Sequence, residues 1–159
     1  MTKITFITVG TLKESYLKDA ISEYKKRLAE FASVEDINLK EEKINNENSE
    51  KEIKAALAAE GEKIKKSVPK DSFKIALCIE GRELSSVEFA RLISDFSNRT
   101  GKITFIIGSS HGLSDEVKRS ADFKLSFSKM TFPHQLMRVI LSESVYRAFT
   151  IIAGKKYHK

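Results

Sequence analysis

The sequence predicts an α/β fold, a mostly parallel sheet flanked by helices, and three observations carry that expectation. Short runs rich in Ile, Phe, Val and Thr alternate with longer segments of helical periodicity, the pattern of successive strand–helix units. Several of the helical segments open on a capping residue. Loops rich in glycine or serine follow three of the strands, where parallel sheets gather their ligands.

Taken in order, Lys3–Val9 reads as a buried strand and Glu14–Phe31 as a helix, with Leu17, Ile21, Tyr24, Leu28 and Phe31 at helical spacing. Val34–Leu39 is a short alternating strand, and the polar stretch Lys40–Asn48 after it is expected to be mobile. Ser49 with Glu52 forms a capping box for a helix to Lys66, with Ile53, Leu57 and Ile64 inward, and Pro69 ends that element. Ser72–Ile79 is a strand whose turn comes at Gly81. Ser85 and Glu88 form a second capping box, for a helix to Asn98. Lys102–Ile107 is a strand, Ser114 caps a short helix to Ser120, and Phe123–Phe127 is the last strand. Pro133 suits the first turn of a final helix, His134–Ile152.

A chain of 159 residues fits a single domain over 1–159 with a core of useful size. No apolar run reaches the roughly 18 residues of a membrane span, and the N-terminus lacks the apolar region and small-residue cleavage site of a signal peptide. The lone Cys78 excludes an internal disulfide and fits a reducing compartment, so a cytoplasmic protein is expected. Cys78, His111, His134 and His158 have no zinc-binding spacing, and no metal is expected. Charge is uneven. Residues 1–99 hold 18 basic and 18 acidic side chains, while residues 100–159 hold 10 and 4, so the whole +6 lies in the C-terminal part. That surplus suits an anionic partner, of which nucleic acid is the commonest.

The strand ends are the places to find chemistry. "LCIEGRELSS" brings Leu77 and Gly81 to one of them, "FIIGSSHGLSD" brings Gly108, His111 and Gly112 to another, and "SFSKMTFP" forms a third. Glycines let backbone approach a ligand, and exposed N–H groups grip polar atoms. With Leu77, Ile107, Met130 and Phe132 beside them, the three loops describe a slot for a flat aromatic ring. The helix after the third loop is apolar on more than one stripe, from Leu136 through Val145 and Phe149 to Ile152, and such a helix needs a second surface to cover it.

Over essentially its full length the chain resembles the ribosomal RNA large-subunit methyltransferase H family, of the SPOUT class. The resemblance rests on "KITFITVGTLKE", "IEGRELSS", "IIGSSHGLSDEV" and above all "LSFSKMTFPHQLMRVILSESVYRAF" with the tail "YHK". The glycine loop differs from the family's usual form in carrying Ser109 where a second glycine is common. The resemblance implies a deep trefoil knot in the C-terminal half, against the general rule that chains do not thread loops. It also implies S-adenosylmethionine as cofactor, held by Leu77, Gly108, Phe127, Ser128, Lys129, Met130, Thr131 and Phe132. It further implies a homodimer, with the tail of one subunit near the pocket of the other, and methylation at N3 of a pseudouridine in the inter-subunit stem-loop of 23S rRNA within the assembled ribosome. The alternatives are a SPOUT enzyme acting on tRNA and a nucleotide- or RNA-binding protein without turnover.

Methyl transfer from a sulfonium gains most from alignment, but an imide nitrogen carries a proton at neutral pH, so a base or charge-stabilising donor helps. His134, Arg138, Tyr157 and His158 are the candidates. His134 could equally pin the loop at its helix start, and His158 could belong to a solvated basic tail. His111 is expected at the pocket rim. Cys78 reads as a small apolar strand residue rather than a nucleophile.

Overall fold

A computed structural model describes all of residues 1–159. The chain runs β1 (Thr2–Val9), α1 (Ser15–Leu28), β2 (Ala32–Leu39), α2 (Glu50–Ser67), β3 (Phe73–Glu83), α3 (Ser86–Thr100), β4 (Lys102–Ile107), α4 (Asp115–Ser120), β5 (Phe123–Ser126) and α5 (His134–Ile152). The strands form one sheet in the order β2-β1-β4-β3-β5, every pairing parallel. The expected α/β architecture is the observed one, and its strand order is consistent with a knotted C-terminal half. No helix is long and apolar enough to cross a membrane.

The sheet is covered on both faces. Alternation along β1 sends Ile4 and Phe6 to one side and Ile7 and Val9 to the other. The first side meets Leu28 of α1, Phe89 and Ile93 of α3, and Leu141, Val145 and Phe149 of α5. The second meets Ile64 of α2 and Val117 of α4. Two-sided burial is why Ile4–Val9 of β1 and Ile103–Ile107 of β4 carry only apolar residues and threonine. Because every strand runs the same way, the loops after β1, β4 and β5 share one edge of the sheet.

Several expectations need correction. Gly81 does not end β3: the strand bulges between Leu77 and Arg82 and pairs again with β5 through Glu83. A Cβ at Gly81 would lie 2.8 Å from the backbone of Lys124 and Leu125, so glycine permits the close approach. Ser85 and Glu88 form a reciprocal box, at 3.1 and 2.8 Å. Ser49 accepts from the Glu52 N–H at 3.3 Å, but the Glu52 carboxylate takes the Asn46 N–H at 2.7 Å instead of returning to the cap. The Lys40–Asn48 stretch is pinned: the Glu42 N–H donates to Glu60, Lys63 pairs with Glu42 at 2.5 Å, and Glu47 meets His111 at 2.6 Å.

The breadth of α5's apolar surface has an internal cause. Helices α1 and α3 pack on the same side of the sheet, and Leu141, Val145, Ala148 and Phe149 are buried among them, with Phe149 stacked on Phe31 at 6.0 Å. Val145 and Phe149 therefore belong to the chain's own core and are not free to face a second subunit. Val145→Glu is expected to unfold the chain, since an unpaired charge in a dry core costs several kcal/mol, on the order of a domain's whole stability. A cooperative circular-dichroism melt near that of the wild type would contradict this placement.

Candidate active site

A cavity of about 680 Å³ opens at the carboxyl edge of the sheet. Such a volume lies within the roughly 300–1,000 Å³ range of small-molecule sites. Its walls are the β3 bulge from Leu77 to Glu80, the loop from Ile107 to Leu113, and the segment from Leu125 to His134, with Met137 of α5 behind. The loops after β4 and β5 and the β3 segment read from the sequence as a third strand end, here a bulge, thus meet in one place.

What these loops offer is backbone. From Phe127 to Phe132 no N–H donates to a backbone carbonyl. Side-chain hydroxyls shape the loop instead: Ser126 Oγ donates to the Ser128 carbonyl at 3.1 Å, and the Met130 N–H donates to Ser128 Oγ at 2.9 Å. In the β4–α4 loop the only backbone tie within residues 108–112 is Gly112 N–H to Ser109 O, at 2.9 Å. A Cβ on Gly108 would come within 2.5 Å of the Gly112 carbonyl carbon, so this turn closes only around glycine. Unpaired amides and carbonyls beside Leu77, Ile107, Phe127 and Phe132 suit a flat heterocycle with polar edges.

Charged groups sit at the margins. Glu80 and Lys118 pair at 2.5 Å on one wall, and the lysine holds the carboxyl below the usual range. Burial pushes the Cys78 thiol up, which keeps it protonated and poorly nucleophilic. Glu60 of α2 is buried behind the β4–α4 loop, accepting from Ser109 Oγ at 3.0 Å and from the Glu42 N–H at 2.8 Å. Burial pushes its carboxyl up, against the lowering effect of those two bonds. A group that holds its proton more tightly when folded contributes stability below its unfolded pKa, and that contribution is lost as pH rises through the raised folded value. Stability relative to Glu60→Gln should therefore fall as pH rises above the ordinary carboxylate range. Denaturant curves at several pH values check this, and a pH-independent difference would contradict it.

Of the residues singled out from the sequence, Leu77, Gly108, Phe127, Ser128, Met130, Thr131, Phe132 and His134 line the cavity. Lys129 lies on the same loop without lining it. His111 lines the cavity and meets Glu47 at its rim. His134 Nε2 and Glu41 Oε2 each lie 3.5 Å from where a Gly10 Cβ would stand, which puts the imidazole against the β1–α1 loop.

Three candidates lie elsewhere in the chain. Arg138 is buried one turn along α5 and donates to Asn38 Oδ1 of β2 at 3.1 Å, and burial pushes its guanidinium down. Tyr157 and His158 fold back on α5: the tyrosine hydroxyl donates to Glu143 at 3.2 Å, its ring lies under Arg147, and His158 Nδ1 stands 3.4 Å from Arg147. The tail also has Tyr146 edge-on to Tyr157 at 4.9 Å and Lys155 paired with Glu30. The tail thus packs on its own chain, and His158 does not belong to a freely solvated basic tail. At 1.5 Å per residue, Glu143 and Arg147 are roughly 14–20 Å along the helix from His134.

Sequence reasoning missed Glu60, Glu80 and Lys118. For Glu60 a signal existed: it falls in the inward stripe of Ile53, Leu57 and Ile64, where a carboxylate needs partners. No group of three or more His, Cys, Asp or Glu side chains is placed to hold a metal ion.

Comparison with known proteins adds to this geometry. The family model described as "Predicted SPOUT methyltransferase" matches residues 2–158. The ribosomal RNA large subunit methyltransferase H of Caldicellulosiruptor bescii is 53% identical over 156 residues, covering 98% of this chain and 99% of that protein. The protein of the same name from Clostridium acetobutylicum is 50% identical over 157 residues, covering 98% and 99%. Among solved structures, a probable methyltransferase from Bordetella pertussis Tohama I aligns with a TM-score of 0.56 at 10% identity, over 93% of this chain and 96% of that one. A probable methylase family protein from Haemophilus influenzae Rd KW20 aligns at 0.53 and 16% identity, over 99% and 70%. At such identities the two structures speak for the fold alone.

Proposed function

The chain belongs to the ribosomal RNA large-subunit methyltransferase H family of SPOUT methyltransferases, and on that premise we propose that it methylates N3 of a pseudouridine in the inter-subunit stem-loop of 23S rRNA, as a homodimer acting on assembled ribosomes. The observation that carries this reading is the convergence of Leu77, Gly108 and the loop Phe127–Phe132 on one cavity whose free groups are mainly backbone.

Bound there, S-adenosylmethionine supplies a methyl group already activated on a sulfonium. The chain's task is then to hold and align. The Ser126 and Ser128 hydroxyls fix the loop that presents free amides and carbonyls, and the apolar walls exclude water from a flat ring. In this reading His134, which lines the α5 side of the cavity, takes the proton from the target ring. Arg138, turned toward Asn38, supports the packing of α5 on β2.

Tyr157 and His158 are held on the outward face of α5 by Glu143 and Arg147, away from their own cavity. They can serve chemistry only at the cavity of a second subunit packed against that face. The half-exposed Leu136 and Ile140 continue the face toward the N-terminus of α5 at helical spacing, and give such a subunit apolar ground to cover. The +6 surplus of residues 100–159 then faces RNA phosphate.

The substrate class is tested by methyl transfer from labelled S-adenosylmethionine to assembled ribosomes, to free 23S rRNA and to tRNA. Label is expected in the large-subunit rRNA of assembled ribosomes. Label confined to tRNA, or binding without transfer, would overturn the proposal.

A further inference from the structure

Glu60 is the only acidic residue buried in the protomer, 3% exposed on α2. Each of its oxygens has one partner, and the partners come from two different segments. Oε1 accepts from Ser109 Oγ at 3.0 Å, in the loop that carries Gly108 along the cavity. Oε2 accepts from the Glu42 N–H at 2.8 Å, in the segment between β2 and α2. That segment lies against the same loop twice more, through Glu41 to Ser110 at 3.4 Å and Glu47 to His111 at 2.6 Å. Lys63, three residues after Glu60, holds Glu42 from α2 at 2.5 Å.

A carboxylate taken out of water is costly, and packing alone would be served as well by an apolar side chain of similar volume. What an apolar side chain cannot do is fix two backbone segments at once. Ser109 is buried, belongs to the cavity wall, and spends its hydroxyl on Glu60. We propose that Glu60 is the positioning residue of the cofactor loop: through Ser109 it holds the Gly108–Ser110 backbone in the conformation that binds cofactor, and through Glu42 it keeps the 40–48 segment clasped on that loop. This inference rests on the reading of the cavity as an S-adenosylmethionine site. It also gives Ser109 a reason to be a serine, since its hydroxyl completes the tie.

Calorimetric titration of the full chain with S-adenosylmethionine tests it. Ser109→Ala and Glu60→Ala are each expected to raise Kd by about tenfold, the worth of one hydrogen bond to a charged acceptor. The double variant should bind no more weakly than the weaker single one, because both changes cut the same tie. Glu60→Gln should stay within about threefold of wild type, since its amide can donate to Ser109 Oγ while its carbonyl accepts from Glu42 N–H. As a control, Leu57→Ala should lower the melting temperature and leave Kd unchanged while the protein is folded. If Glu60→Ala does not fold, Ser109→Ala carries the test. Wild-type affinity in Ser109→Ala, additive losses in the double variant, or a loss in Leu57→Ala equal to that in Glu60→Ala would overturn the positioning role. Failure of the wild type itself to bind would overturn the reading of the cavity, and the positioning role with it.

Discussion

Gly108→Ala, a change of one carbon, is expected to weaken S-adenosylmethionine binding by a hundredfold or more. The added Cβ would stand 2.5 Å from the Gly112 carbonyl carbon and 3.0 Å from Leu113 Cδ2. Gly112 is tied back to the Ser109 carbonyl, so the obstacle is backbone and cannot swing aside as a side chain would. The turn must open, and strain of this kind costs on the order of 3 kcal/mol or more, about two decades in affinity. The new carbon would press on the loop itself and leave the cavity's volume unfilled. The deficit should therefore appear with all small ligands of the site, the demethylated cofactor product included, while the sheet core melts cooperatively. Calorimetry with both ligands checks it, and unchanged affinity would show that the β4–α4 loop does not shape the site.

Deleting residues 155–159 is expected to leave the fold and cofactor affinity in place while lowering methyl transfer by about a hundredfold or more, the usual scale of a missing proton-transfer or positioning group. The tail touches Glu30, Glu143, Tyr146 and Arg147, none of which lines the cavity of the same chain. These tail interactions are partly exposed to water, so the melting temperature should fall by only a few degrees, the equivalent of about 1 kcal/mol. His158→Ala and Tyr157→Phe then separate the roles. A lower turnover at saturating ribosome marks a part in chemistry or ring placement, and a change in ribosome affinity alone marks a binding role. Full turnover by the shortened chain would remove both residues from the site and leave His134 as the group to pursue.

Much of this architecture is legible in the residues, and the failures have physical causes. Runs such as Ile4–Val9 and Ile103–Ile107 hold only apolar residues and threonine, with no charged residue and no strict alternation, as a doubly covered parallel strand requires, so the sheet could be read. The loops after β4 and β5 could be placed in one site because parallel strands deliver their ends to the same edge, whereas the β3 contribution comes from a bulge within the strand. Helix α5 misleads because excess apolarity looks the same whether a helix is covered by α1 and α3 of its own chain or by a partner. Gly81 carries the composition of a turn, yet it serves a bulge where two backbones touch. Arg138 shows the limit of periodicity, which fixes a residue's face on its helix but not the neighbour across from it, here Asn38 from a strand a hundred positions earlier. The polar 40–48 segment and the tail give no sequence sign of internal partners. Those partners, Glu60 and Lys63 in one case and Glu143 and Arg147 in the other, are themselves polar and leave no hydrophobic signal.

Mass spectrometry of the inter-subunit stem-loop fragment of 23S rRNA puts the whole chain of inference to the test. Ribosomes lacking this modification would be incubated with the protein and S-adenosylmethionine, and the fragment compared with a control without protein. The expected result is the gain of one methyl group on a single pseudouridine, placed at N3 by fragmentation, and absent when Gly108→Ala replaces the wild type. A fragment of unchanged mass in the presence of active, cofactor-bound protein, or a methyl group on another base, would contradict it.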